Sequence, residues 1–277
     1  MGLRISTNMA AIAANRTLSK TSEEQAKSFQ RLASGNRITQ AGDDAAGLSI
    51  SENLRAQIRS IGQATRNAND GISFVQVAEG GLNEIGNMLI RMRELSVQAA
   101  SDTIGDKERG YINQEVRSLT EEVDRISNTT EFNGTKLLNG EGNELNFQVG
   151  IHKEASGGDR LAFKPGEFNA RSSNIGIDGL SIATTDDARD AMDRVDGALG
   201  KVFEARAKLG ATQNILQGTV NNLEITHENL SAARSRIADT DVAMETSELV
   251  RKNILQQAGI SVLAQANQAP MAALKLL

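Results

Sequence analysis

Few side chains in this sequence stand where they could do chemistry. The acid pair Asp43-Asp44 is one candidate, because neighbouring carboxylates can divide general acid and general base roles. It lies in a small, polar run, RITQAGDDAAGLSISENL. Acids in such a run begin helices, so the plain reading is a cap that charges the first turn of a helix starting near Ala45. His152 and His227 are the two histidines, and neither has a partner at ligand spacing, so no metal pair is expected. His227 falls on a helical seam, where a packed ring is expected. Cysteine is absent, which removes thiolate nucleophiles, disulfides and thiolate metal sites. HExxH and P-loop patterns do not occur, and GEGNELNFQVG lacks the Lys-Ser/Thr and the following helix of a phosphate loop. No Ser/His/Asp set can be assembled. The sequence therefore predicts no enzyme, no cofactor and no metal. Arg91-Met92-Arg93 invites a binding role, but with Glu94 beside it the cluster reads as a solvated helix face.

Composition sets what elements could position any site. Aromatic residues make up 3% of the 277, with no Trp, one Tyr and two Pro. Compact cores draw much of their buried area from aromatics, so long helices packed by Ala, Leu, Ile and Val are the better reading. A net charge of −5 argues against a nucleic-acid partner. No apolar run is long enough for a membrane span. The opening residues show no apolar h-region, so no cleaved signal is expected.

The pattern along the chain is helical. Residues 3–33 read as an amphipathic helix with Ile5, Met9 and Ile12 on one stripe and Leu18, Phe29 and Leu32 on another, broken by Ser34-Gly35-Asn36. From about Ala45 to Ala99, Leu54, Ile61, Ala68, Val75, Leu82, Leu89 and Ser96 recur every seventh residue. An unbroken helix there would span ~80 Å. Gly62, Gly71, Gly80, Gly81 and Gly86 interrupt it, each costing about 1 kcal/mol, so packing must hold it. A turn at 101–106 leads to a shorter helix with Ile112, Val116, Leu119, Val123 and Ile126 on its stripe. Asn-Gly and Gly-Glu-Gly punctuation and the alternation Leu145-Phe147-Val149 then indicate hairpins, and His152 to Leu180 reads as turns and loop rather than packed structure. Ala188, Val195, Val202, Leu209, Leu216, Leu223, Leu230 and Ile237 form the cleanest heptad seam. A last helix from near Asp239 carries Leu249, Ile254, Ala258, Val262, Ala266 and Leu274 near one face.

The expected fold is mainly α: an antiparallel long-helix coiled-coil rod with a small β-hairpin region and paired terminal helices. The tail, QQAGISVLAQANQAPMAALKLL, keeps an apolar stripe at a chain end, where polar, frayed residues are usual. Such a stripe must be buried. A lipid-coating helix would favour Lys/Arg and large anchors, whereas this one has Gln, Asn and Ala. Packing on further copies of the chain is the favoured reading, with Leu263 and its neighbours at the contact.

SGNRITQAGDDAAGLSISENLRAQIR, IRMRELSVQAA, EFNGTKLLNG and ILQQAGISVLAQANQAP resemble the signatures of bacterial flagellin. The likeness covers residues 1 to about 140 and about 185 to 277. It implies a secreted subunit of the extracellular flagellar filament, exported by the flagellar type III apparatus with a secretion chaperone and meeting hook-associated junction and cap proteins. Residues 1–45 with 235–277 would form the inner tube, the connectors at 34–46 and near 233–238 a spoke, and 46–234, with hairpins over about 135–182, the outer rod. Assembly would use Ile5, Met9, Ile12, Leu18, Phe29, Leu32, Leu249, Ile254, Ala258, Val262, Leu263, Ala266 and Leu274. Arg91, Leu95 and Glu115 match the pattern recognised by Toll-like receptor 5 in this family, with Ile90 standing where Gln is common. The hook–filament junction protein shares the architecture and is the alternative; an amphipathic lipid-binding protein is a further one.

Overall fold

The computed structural model describes residues 7–153 and 158–274, the last six by backbone alone. Ile5 lies outside the described residues, and so does the side chain of Leu274. The elements run α1 (Met9–Ser34), α2 (Ala45–Ala99), α3 (Asp106–Thr129), β1 (Glu131–Phe132), β2 (Thr135–Lys136), β3 (Leu145–Gln148), β4 (Arg160–Phe163), a 3-10 turn (Pro165–Phe168), α4 (Ser172–Ile175), α5 (Thr185–Ala238) and α6 (Val242–Leu274). The chain is mainly helical, with two small antiparallel strand pairs, β1–β2 and β3–β4. Its contacts divide it into one unit of Met1–Ile58 with Glu228–Leu277 and another of Arg59–His227.

Helix starts are set by side chains that take up free backbone N–H groups. Asn8 Oδ1 accepts from Ala11 N at 3.1 Å, and Asp44 Oδ1 from Gly47 N at 2.8 Å. Asp241 Oδ1 accepts from Ala243 N and Met244 N at 2.9 and 3.1 Å. At the start of α5 a reciprocal box forms. Asp187 N donates to Thr184 Oγ1 at 3.1 Å, and Thr184 N donates to Asp187 Oδ2 at 3.3 Å. Gly35, at φ 70°, ends α1 in the left-handed conformation that favours glycine.

In the unit of Arg59–His227, α2 and α5 lie antiparallel. Arg93 pairs with Asp196 at 2.5 Å and Glu79 with Arg206 at 3.6 Å. A β-carbon at Gly71 would meet Leu216 at 3.3 Å. The seventh-residue series is the core: Ile61, Ala68, Val75, Leu82, Leu89 and Ser96 on α2 face Ala188, Val195, Val202, Leu209, Leu216 and Leu223 on α5, all buried. α3 folds back on α2. Its Arg109, 6% exposed, donates to the carbonyls of Ala99 and Ser101 at 2.9 and 3.2 Å and pairs with Asp106 at 2.7 Å. That guanidinium satisfies backbone carbonyls at the end of α2.

The segment from His152 to Leu180 departs from the expectation of loop. Phe163, Phe168, Ala170, Ile175, Ile177 and Leu180 are all buried in the core. Phe74 meets Phe132, Phe147 and Phe163 edge-on at 5.7, 5.3 and 4.8 Å between ring centres. Phe168 stacks on Phe163 at 4.7 Å. The scarce aromatics are thus concentrated where the strands meet α2. Asp124 on α3 anchors α4 by accepting from Ser172 N and Oγ at 2.8 and 2.7 Å. Such singly placed apolar residues between glycines and polar turns carry no period, so the sequence pattern did not show them.

Candidate assembly surface

The first unit holds the terminal helices, and α1 and α6 pair antiparallel along their length. Asn8 Nδ2 donates to the carbonyl of Ala266 at 2.8 Å. Lys252 Nζ donates to Ser28 Oγ at 2.9 Å. Gln25 is hydrogen-bonded to Asn253, and Arg31 approaches Glu245 at 3.8 Å. A β-carbon at Gly259 would sit 3.3 Å from Leu18 Cδ1. The half-buried and buried positions of α1 include Ala11, Ala14, Leu18, Thr21, Gln25, Ser28 and Leu32, and those of α6 include Glu245, Leu249, Lys252, Gln256, Gly259, Leu263 and Ala266. Both sets alternate steps of three and four, the spacing of a coiled-coil seam. The seam is built from small and polar residues, with Leu at only a few layers.

The large apolar residues point elsewhere. Met9 is 67% exposed, Ile12 55%, Phe29 53%, Ile254 61%, Leu255 53%, Ile260 53% and Val262 57%. Val242, Met244 and Val250 are exposed as well. Of the residues assigned to assembly from sequence, Leu18, Leu32, Leu249, Leu263 and Ala266 stand on the α1–α6 seam, and Met9, Ile12, Phe29, Ile254, Ala258 and Val262 on the open faces. Leu255 and Ile260 join the open faces of α6. A single apolar stripe does not contain them, because α6 carries large apolar residues on several sides of the helix.

The turn between α5 and α6 is tied to the one after α1. Arg37 N and Nη2 donate to the carbonyls of Ala238 and Ile237, each at 2.7 Å. Thr240 N donates to Gly35 O at 2.9 Å, and Asn36 bridges Asp239. The connector placed near 233–238 is corrected: those residues are the last turn of α5, which runs to Ala238, and the chain leaves the helix only at Asp239–Asp241. Asp43 organises the other side. Its Oδ2 accepts from Thr39 N, Thr39 Oγ1 and Gln40 N at 3.2, 3.0 and 3.3 Å. The backbone hydrogen bond from Thr39, then its hydroxyl, hold the Asp43 carboxyl below the ordinary range, with Arg31 adding a smaller pull. The acid pair is therefore a helix cap and a turn brace.

On the other unit, Arg91 donates to Glu115 Oε1 through Nε and Nη2 at 3.0 and 2.9 Å and to Glu94 Oε2 at 3.2 Å. Hydrogen bonding to Glu115, then to Glu94, raises the guanidinium above its ordinary value. Arg91 and Glu115 are exposed and adjacent. Leu95 is corrected as a surface contact: it is 2% exposed and belongs to the core. His227 is exposed rather than packed, because the seam thins beyond Leu223. Among the described residues, no group of three His, Asp or Glu could hold a metal ion, and no helix is long and apolar enough to cross a membrane.

A mainly helical chain with heptad seams and outward-turned apolar faces on its terminal helices defines a structural, self-associating class of protein. The bacterial flagellin N-terminal helical region matches residues 5–143, and the bacterial flagellin C-terminal helical region matches residues 192–277. Flagellin of Halalkalibacterium halodurans is 43% identical over 99% of both chains. Flagellin of Bacillus subtilis is 44% identical over 99% of this chain and all of its own. The crystal structure of Bacillus cereus flagellin superposes with a TM-score of 0.51 at 28% identity, over 57% of this chain and 88% of that one. A putative flagellar hook-associated protein from Vibrio parahaemolyticus shares the fold, with a TM-score of 0.59 at 16% identity over 71% of this chain and all of that one. The chain belongs to the bacterial flagellin family and is a structural subunit of the flagellar filament.

Proposed function

We propose that the open apolar faces of α1 and α6 are the contacts through which copies of this chain polymerise. The observation that carries this reading is the inversion of the pair: mostly small and polar residues, with four leucines, lie between the helices while Met9, Ile12, Phe29, Ile254 and Val262 face outward. Burying each such side chain is worth about 1.5–3 kcal/mol, and only neighbouring copies offer enough matching surface. Residues 1–45 with 235–277 then line the inner tube of the filament, 34–46 forms the spoke, and 46–234 makes the outer wall.

The subunit leaves the cell through the flagellar type III apparatus with a secretion chaperone, and hook-associated junction and cap proteins bound the growing polymer in the extracellular space. Family resemblance supports these partners. On the same ground, Arg91 and Glu115 present a contact for Toll-like receptor 5 on the unpolymerised subunit. Replacing Arg91 with Ala should then weaken receptor signalling by monomer, measured in a reporter cell, without lowering the melting temperature.

Seeded polymerisation followed by electron microscopy tests the assembly reading. Val262→Asp should abolish filament growth while leaving helix content intact, because an unpaired buried charge costs several kcal/mol. Leu263→Asp should also abolish it, but by loosening the α1–α6 pair, seen as faster hydrogen exchange in both helices. Normal filaments from Val262→Asp would remove the open face from the contact.

A further inference from the structure

We propose that Met9 and Met244 make assembly sensitive to peroxide-type oxidants, a modification site on the polymerising face. This rests on the assembly reading above. Seven methionines are distributed along the chain. Met92 is fully buried, and Met88 and Met192 are half-buried. Met9 is 67% exposed and Met244 69% exposed, and both belong to the open apolar faces of the terminal helices. The other large residues on those faces are Ile, Val, Leu and Phe, which mild peroxide leaves unchanged. Among the described side chains of that surface, these two thioethers are the ones that peroxide converts.

The conversion is balanced and reversible. The methionine sulfur attacks one peroxide oxygen; the S–O bond forms, the O–O bond breaks, and the departing hydroxide takes a proton and leaves as water. Sulfur is oxidised and the peroxide reduced. A methionine sulfoxide reductase reverses the step with a dithiol, which becomes a disulfide as the oxygen leaves in water. The sulfoxide is polar and accepts hydrogen bonds, so it resists entry into an apolar contact. At Met244 the effect is reinforced locally. Its side chain lines a cleft with Arg31, Arg37 and Lys252 and with the acids Asp241, Glu245 and Glu248; the cations are donors only, so a sulfoxide oxygen finds partners in the cleft that a thioether does not. Burial between copies shields both sulfurs once the polymer forms, so the sensitive species is the free subunit.

Full-length monomer would be treated with hydrogen peroxide, mapped by peptide mass spectrometry, and added to filament seeds. Met9 and Met244 should gain oxygen before Met88, Met92 and Met192. The concentration needed for growth should rise roughly tenfold or more, since each sulfoxide forfeits an apolar burial, and methionine sulfoxide reductases with dithiothreitol should restore it. The Met9→Leu, Met244→Leu chain should polymerise before and after peroxide. The Met9→Gln, Met244→Gln chain should fold but polymerise as poorly as the oxidised protein. Failure of the untreated chain to polymerise overturns the assembly reading and this inference with it. If the untreated chain grows, unchanged growth after oxidation, early oxidation of Met92, or undiminished sensitivity of the Leu variant overturns the inference alone.

Discussion

Two adjacent glycines in the middle of α2 show how differently the same residue can be used. A β-carbon at Gly81 would lie 2.7 Å from Leu138 Cδ1 and 2.8 Å from Thr130 Oγ1, whereas one at Gly80 would meet nothing within 4 Å. Gly81 is required by the close approach of the β1–β2 region, and Gly80 is a helix defect on an open face. Gly80→Ala should therefore stabilise the monomer by about 0.5–1 kcal/mol, the helical cost of glycine. Gly81→Ala should destabilise it by roughly 1–3 kcal/mol, as overpacking does. Chemical denaturation of monomer decides both. From the sequence each glycine counted equally against the helix; only the neighbours separate them. Asp43 makes the same point for charge. Its depressed carboxyl contributes stability that is present above the ordinary Asp value of about 3.9 and is lost as pH falls through the lower folded value. Asp43→Asn should flatten the acid limb of the melting-temperature profile below about pH 4. Carbon-detected NMR of the carboxyl should place its titration below that of an exposed Asp. A limb unchanged by Asp43→Asn would mean the brace is idle.

Among the elements, α5 was the most legible and α1 and α6 the least. A strict seventh-residue recurrence of Val and Leu can satisfy only one helix face, so the buried run from Ala188 to Leu223 is readable without coordinates. Its depth is not readable: Leu216 is fully buried, while Leu230 and Ile237 continue the same series half-buried. Leu216→Ala should cost ~2–5 kcal/mol of unfolding free energy, and Leu230→Ala clearly less, both measured in urea on the monomer. Equal losses would show that the seam is as tight at its end as at its centre. The terminal helices hide their pairing for the opposite reason. Their seam is mostly Ala, Thr, Gln, Ser and Gly, residues that a hydrophobicity pattern treats as surface, with Leu18, Leu32, Leu249 and Leu263 at intervals, while Met9, Ile12, Phe29, Ile254 and Val262 stand off it. The hairpin segment hides its packing because Phe168 and Ile177 stand alone among turns, and β4 is so short that Leu161 and Phe163 are its one alternating pair.

At the scale of the whole molecule, the buried core and the open apolar faces of the terminal helices lie on different stretches of chain. The hydrophobic core cluster runs from Ala68 to Val220, inside the unit of Arg59–His227. In α1, Ser28 is the one residue among those described that is fully buried, and Met9, Ile12, Phe29, Ile254, Leu255, Ile260 and Val262 on the two terminal helices are exposed. Folding free energy scales with the apolar area a unit removes from water, so the first unit gains little by itself. Removing residues 1–45 and 235–277 should then leave a chain that still unfolds cooperatively, with a denaturation midpoint close to that of the full-length monomer. The same chain should form no filaments on seeds under salting-out conditions that support the full-length protein. Circular dichroism and electron microscopy read the two halves of the prediction separately. A truncated chain that melts without a cooperative transition would mean that the terminal segments complete the core. One that polymerises would mean that the apolar faces of α1 and α6 are not where subunits meet.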